Sequence, residues 1–186
     1  GSGNEKYTAE AISHEVGHNL GLYHDGKTDG TEYYAGHGAG DTGWAPIMGV
    51  GYYKNLSQWS RGEYSGANNT EDDYARINSN GLDFRADDWG DTVASAAAVL
   101  QTANSFSAAG IIETPEDIDF FRFTSGAGDV HIDVVPSEKG ANLDIKAAVY
   151  NSSGSLLGQA NPADFLYSGL IVSLPSDGTY YFSIEG

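Results

Sequence analysis

The sequence predicts an α+β chain in two parts, a helix-and-loop region over residues 1–84 and an antiparallel β-sandwich over residues 85–186. Three observations predict it. Apolar residues recur at helical spacing near the N-terminus, period-two alternation appears only after about residue 117, and a polar, turn-rich run at residues 81–91 separates the two textures. The 186 residues leave room for one or two small domains, and 40% hydrophobic with 12% aromatic residues is enough to build a core.

Residues 8–22 read as a helix, with Thr8 as N-cap, Glu10 in the first turn and Ile12, Val16 and Leu20 stacked as its apolar face. Gly21 is the expected stop. Residues 26–51 are glycine-rich and follow neither period, so they read as loop. A second helix is expected over residues 71–78, since Thr70 and Asp73 make a capping box and Gly81 lies just beyond its end.

In the second part, Ile118-Phe120, Val130-Ile132-Val134, Leu143-Ile145-Ala147-Val149, Leu170-Val172-Leu174 and Tyr180-Phe182-Ile184 alternate with a second set of residues, as half-buried strands do. Turn chemistry at residues 125–128, 151–154 and 175–178 separates them. Antiparallel sheets packed face to face follow.

Charge narrows the partners. Nine Lys and Arg against 26 Asp and Glu give a net charge of −17, and both parts are acidic, with 12 acids to 5 bases up to residue 84 and 14 to 4 beyond it. An electropositive face for nucleic acid or anionic membrane is hard to assemble from this, whereas cations are suitable partners. Zero cysteines exclude disulfides, thiolate ligands and a cysteine nucleophile, so any metal must use histidine and carboxylate. The longest purely apolar stretch, residues 96–100, is far below the roughly 20 residues of a membrane span. Gly1-Ser2-Gly3 reads as a cloning scar or an internal cut, and the chain as a fragment.

The chemistry concentrates in residues 14–25, which read H-E-x-x-H-x-x-G-x-x-H-D. On a helix His14 and His18 lie one turn apart on one face, so their imidazoles can converge on one ion. Glu15 lies about 100° round the helix from His14, where its carboxylate can reach a metal-bound water without entering the coordination shell. Gly21 lets the chain leave the helix sharply and bring His24 to the same ion. Three neutral histidines leave a fourth position open, the arrangement of a catalytic zinc site. Five fixed residues at this spacing arise by chance on the order of once in ten million starts. His37 and His131 read as solvated.

This stretch resembles the metzincin zinc endopeptidases, with Asn19, Leu20 and Asp25 closest to their reprolysin-type branch. The resemblance implies Zn2+ held by His14, His18 and His24, Glu15 as general base, Met48 in Pro46-Ile47-Met48-Gly49 as the Met-turn, and residues 49–53 walling a substrate pocket. Residues 1–84 would then be the zinc helix, Met-turn and closing helix of a catalytic domain. Position 50 is Val where some members carry a Tyr ligand.

Residues from about 86 onward are similar to the bacterial pre-peptidase C-terminal domain, on Asp87-Asp88, Gly110-Ile111-Ile112-Glu113, Asp117-Ile118-Asp119-Phe120-Phe121, Leu143-Asp144 and Asp177-Gly178-Thr179-Tyr180-Tyr181-Phe182. Asp117 and Asp119 offer hard oxygen ligands for Ca2+, but one alternating pair falls short of six to eight oxygens. Solvated strand-edge carboxylates are the plainer expectation. Together the resemblances imply a secreted bacterial zinc metalloendopeptidase acting on protein or peptide substrates. The alternative is a non-catalytic adhesive or substrate-targeting module with a vestigial metal site. Oligomeric state is left open.

Overall fold

A computed structural model describes residues 3–186. Gly1 and Ser2, and with them most of the expected scar, lie outside the described residues. The chain divides into two compact units, Gly1–Phe84 with Ser137–Asn142, and Arg85–Pro136 with Leu143–Gly186. The described residues are mostly strand and loop with two short helices.

The first unit contains helix α1 (Glu5–Asn19), strands β1 (Trp44–Pro46) and β2 (Leu56–Gln58), which pair in parallel, and helix α2 (Asp73–Ser79). Helix α1 begins earlier than its sequence pattern suggests. Its N-cap is Asn4, not Thr8: the Asn4 side chain accepts from the Tyr7 N–H at 3.0 Å, and Thr8 Oγ1 instead donates to the Asn4 carbonyl. The expected apolar stripe is also corrected, because Ile12 and Val16 are exposed while the buried positions of the helix are Glu10 and Gly17. Glu10 is held there by Lys6 Nζ at 2.7 Å and by the Ser57 hydroxyl. Helix α2 starts at Asp73 with Asp72 as its cap, since Asp72 accepts from the Ala75 N–H. Asp73, expected to be a surface capping partner, is fully buried and accepts from the Ser60 N–H at 2.9 Å.

In the second unit, β3 (Ala97–Ala98), β6 (Asp119–Ser125), β11 (Gly178–Glu185), β8 (Lys146–Tyr150) and β9 (Leu156–Ala160) form one sheet in the order β3-β6-β11-β8-β9. Strands β7 (Gly128–Val134) and β10 (Ser168–Leu174) pair antiparallel, as do β4 (Leu100–Thr102) and β5 (Ser105–Ser107). Phe121, Phe123, Ala147, Val149, Tyr180, Phe182 and Ile184 from the five-stranded sheet share one core with Ile132, Val172 and Leu174 from β7 and β10. Two sheet faces closing on a common core is the arrangement that alternation predicts.

Three details differ from the sequence reading. The sheet is not purely antiparallel, because β3 runs parallel to β6. On β6 the inward residues are Asp119, Phe121 and Phe123, one register from the expected Ile118 and Phe120. A one-residue slip exchanges the two faces of a strand, and two adjacent Phe make both faces look apolar in sequence. Ala147, Ala148 and Val149 are all buried, so the middle of β8 is covered on both faces rather than one.

Candidate functional site: a three-histidine cluster

Helix α1 ends in a tight C-cap that redirects the chain towards His24. Leu20 is the C-cap, Gly21 follows at φ 84°, and the Leu22 N–H returns to the Gly17 carbonyl while the Gly21 N–H bonds that of His18, both at 3.0 Å. Only glycine adopts that φ without strain. Beyond it, the Asp25 N–H donates to the Met48 carbonyl at 2.9 Å and the Tyr34 N–H to the Asp25 carbonyl at 2.7 Å, which pins the backbone on the C-terminal side of His24.

The result brings His14, His18 and His24 together. One ring nitrogen from each lies within 4.8 Å of the others, and Nε2 of His18 and Nε2 of His24 are 3.0 Å apart. The outer nitrogens are anchored: His14 Nδ1 reaches the Ile47 carbonyl at 2.8 Å and His18 Nδ1 the Leu22 carbonyl at 3.0 Å. A carbonyl only accepts, so both Nδ1 atoms carry a proton, and Nε2 is the atom of each ring with a lone pair in its neutral form. His24 Nδ1 faces Glu32 Oε1 at 3.5 Å. Back-side acceptors of this kind orient imidazoles and raise their basicity as ligands. Burial, then the neighbouring His18 and His14, lower the pKa of His24 from the usual imidazole value, against the opposing charges of Glu32 and Glu15.

Met48 packs against helix α1 at Gly17. It is fully buried, and a Cβ built on Gly17 would come within 2.5 Å of its sulfur, so the helix approaches the methionine only because residue 17 has no side chain. Asp25 and Asp73, also buried, are bridged by Ser60, whose hydroxyl donates to Asp25 Oδ2 at 2.7 Å and whose N–H donates to Asp73. Burial pushes Asp25 up from its ordinary range, and burial together with the Asp25 charge pushes Asp73 up to about 7.

Glu15 is exposed on α1 next to His14, and its charge acts on His24 and Tyr33. The aromatic side chain at the cluster is Tyr33, whose ring centre is 4.3 Å from that of His24. Tyr52 and Tyr53, expected to wall a pocket, pack instead on Tyr7 at 5.3 and 6.1 Å. His37 and His131 are exposed; His37 Nδ1 contacts the Tyr34 hydroxyl. No periodic signal singles out Tyr33, Ser60 or the burial of Asp73, because all three act through contacts distant in sequence.

No family model matches the chain. A curated relative, a probable subtilase-type serine protease of Deinococcus radiodurans, is 35% identical over 77 residues, which is 40% of this chain and 11% of the relative. The matched stretch therefore spans about a tenth of that protein's length. This finding overturns the sequence reading of the chain as a metzincin zinc metalloendopeptidase with Glu15 as its general base. The relative is named as a protease of the serine type, and that chemistry attacks the peptide with a side-chain hydroxyl. The adhesive or targeting alternative gains no support from it either. Among the described residues, no helix is long and apolar enough to cross a membrane.

Proposed function

We propose that this chain is a segment of a secreted bacterial peptidase in which residues 1–84 hold one divalent cation of the zinc class on His14, His18 and His24. The observation that carries the ion site is the convergence of three imidazoles whose outer nitrogens face a carbonyl, a carbonyl and a carboxylate. The donor set fits the ion. Two Nε2 atoms only 3.0 Å apart, on rings whose other nitrogens are occupied, either share a proton or point their lone pairs at a common cation. When bound, such an ion supplies Lewis acidity. His14 and His18 hold their tautomers through Ile47 and Leu22, and the Tyr33 ring packs against that of His24.

The peptidase part of the reading is supported by the match to a bacterial protease. The second unit, Arg85–Pro136 with Leu143–Gly186, is read as an accessory β-sandwich of the pre-peptidase C-terminal kind, supported by its sheets sharing one core. Protein or peptide is then the substrate class. The test for the ion is zinc titration of the metal-stripped chain by calorimetry. About one equivalent is expected for the wild type, with binding lost in His14→Ala; no saturable binding, or unchanged binding in the variant, contradicts the site. Release of dye from labelled casein by the longer polypeptide tests the peptidase part, and its absence from the folded protein contradicts that part.

A further inference from the structure

A second cluster of metal-ligating side chains lies wholly within the second unit, away from any role given above. Asp117 follows a turn closed by its own N–H on the Thr114 carbonyl, and Asp119 opens β6. Both are buried, at 7% and 2% exposure, which corrects the expectation of solvated strand-edge carboxylates. Trp89 brings a second stretch of chain to them: its ring packs on Phe121, with centres 5.2 Å apart, and its indole N–H donates to the Ala109 carbonyl at 3.0 Å. The preceding Asp87 and Asp88 are thereby set against the start of β6. Glu113 stands at the start of the same turn, its N–H donating to Asp117 Oδ2 at 2.9 Å.

Carboxylate oxygens of Asp87, Glu113 and Asp117 lie within 4.8 Å of one another, and so do those of Asp87, Asp88 and Asp119. An acidic cluster alone says little. Here, however, Oδ1 of Asp117, Oδ1 of Asp119 and both Oε atoms of Glu113 are buried without a hydrogen-bond partner. Among the described residues, the ion pairs of Lys and Arg all involve other acids. Buried, unpaired carboxylates of like sign cost free energy that a proton or a cation must offset.

We propose that Asp87, Asp88, Glu113, Asp117 and Asp119 form a binding site for at least one calcium ion. The donors are all oxygen, which suits a hard cation and not zinc. Five carboxylates, each able to bind through one oxygen or two, reach the six to eight oxygens that Asp117 and Asp119 cannot supply alone. Asp87 and Asp88 are exposed and provide the way in. Without the ion, burial and the surrounding charges push Asp119 up to about 7 and raise Glu113.

The test is calorimetric titration of the chelator-stripped full chain with CaCl2 alone, alongside thermal melts in CaCl2 and in MgCl2. Expected results are saturable binding of at least one calcium per chain and a Tm raised by calcium more than by magnesium. Asp119→Asn should weaken binding by about ten- to hundred-fold. Asp88→Asn, an exposed position that leaves the core intact, should weaken it by about tenfold and so carries the test if Asp119→Asn does not fold. Asp164→Asn, an exposed acid outside the cluster, should leave it unchanged. The proposal is overturned by absence of saturable binding to the folded wild type, by equal stabilisation from magnesium, or by equal weakening in Asp88→Asn and Asp164→Asn. A His18→Ala chain should bind calcium like the wild type, so failure of this site and failure of the histidine site are read separately.

Discussion

His14, His18 and His24 come from one short stretch of chain, whereas the five carboxylates come from two, residues 87–88 and 113–119, that only the folded second unit brings together. The construction differs accordingly. In the first cluster every outer ring nitrogen already faces an acceptor, so the lone pairs are aimed before any ion arrives. In the second, buried oxygens lack donors and repel one another. The histidine cluster is preorganised by two carbonyls and a carboxylate; the carboxylate cluster is under electrostatic load until something positive enters. Nitrogen and oxygen donors also sort the cations, zinc-class ions to the first and calcium to the second.

The largest expected effect breaks the comparison at its first member. His24→Ala should lower zinc affinity by more than about 100-fold, since a lost ligand costs at least as much as a lost outer partner, while calcium affinity stays within about twofold; competition with a chromophoric chelator reads both. A smaller effect concerns the packing of Met48 against helix α1. Met48→Ala removes a fully buried side chain and should cost about 2–5 kcal/mol, and Gly17→Ala, which crowds the Met48 sulfur, about 1–3 kcal/mol, both measured by urea unfolding.

The pH dependence of stability sharpens the contrast within the first unit. Asp73 has its folded pKa raised to about 7, so between its unfolded value near 3.8 and 7 the folded state binds more protons than the unfolded one. Asp73 therefore contributes a loss of stability as pH rises through that window, complete above about 7. Asp73→Asn should flatten the slope of the unfolding free energy there; an unchanged slope would exclude Asp73 as its source. Smallest of all, Lys146→Ala breaks a half-exposed pair with Glu185 and should cost no more than about 1 kcal/mol.

What was legible follows the same division. The histidine spacing, the Gly21 stop and the strands β7, β10 and β11 are written in local sequence, and the fold places them close to where the sequence does. The short strands β1 to β5 carry two or three residues each, too few for alternation to register. Ile12 and Val16 mark a helical face that the structure leaves exposed, because a hydrophobic stripe indicates period and not what covers it. The carboxylate cluster was half visible as Asp117 and Asp119. Asp87, Asp88 and Glu113 join it through the packing of Trp89 and the turn at residues 113–117, neither of which leaves a mark in spacing.

X-ray absorption at the zinc edge of the reconstituted chain tests the central claim most directly. The account predicts one zinc per chain with three imidazole nitrogens at about 2.0–2.1 Å, and loss of that signature in the His14→Ala, His18→Ala, His24→Ala triple variant. Zinc bound through oxygen alone, or an unchanged spectrum in the triple variant, would contradict it.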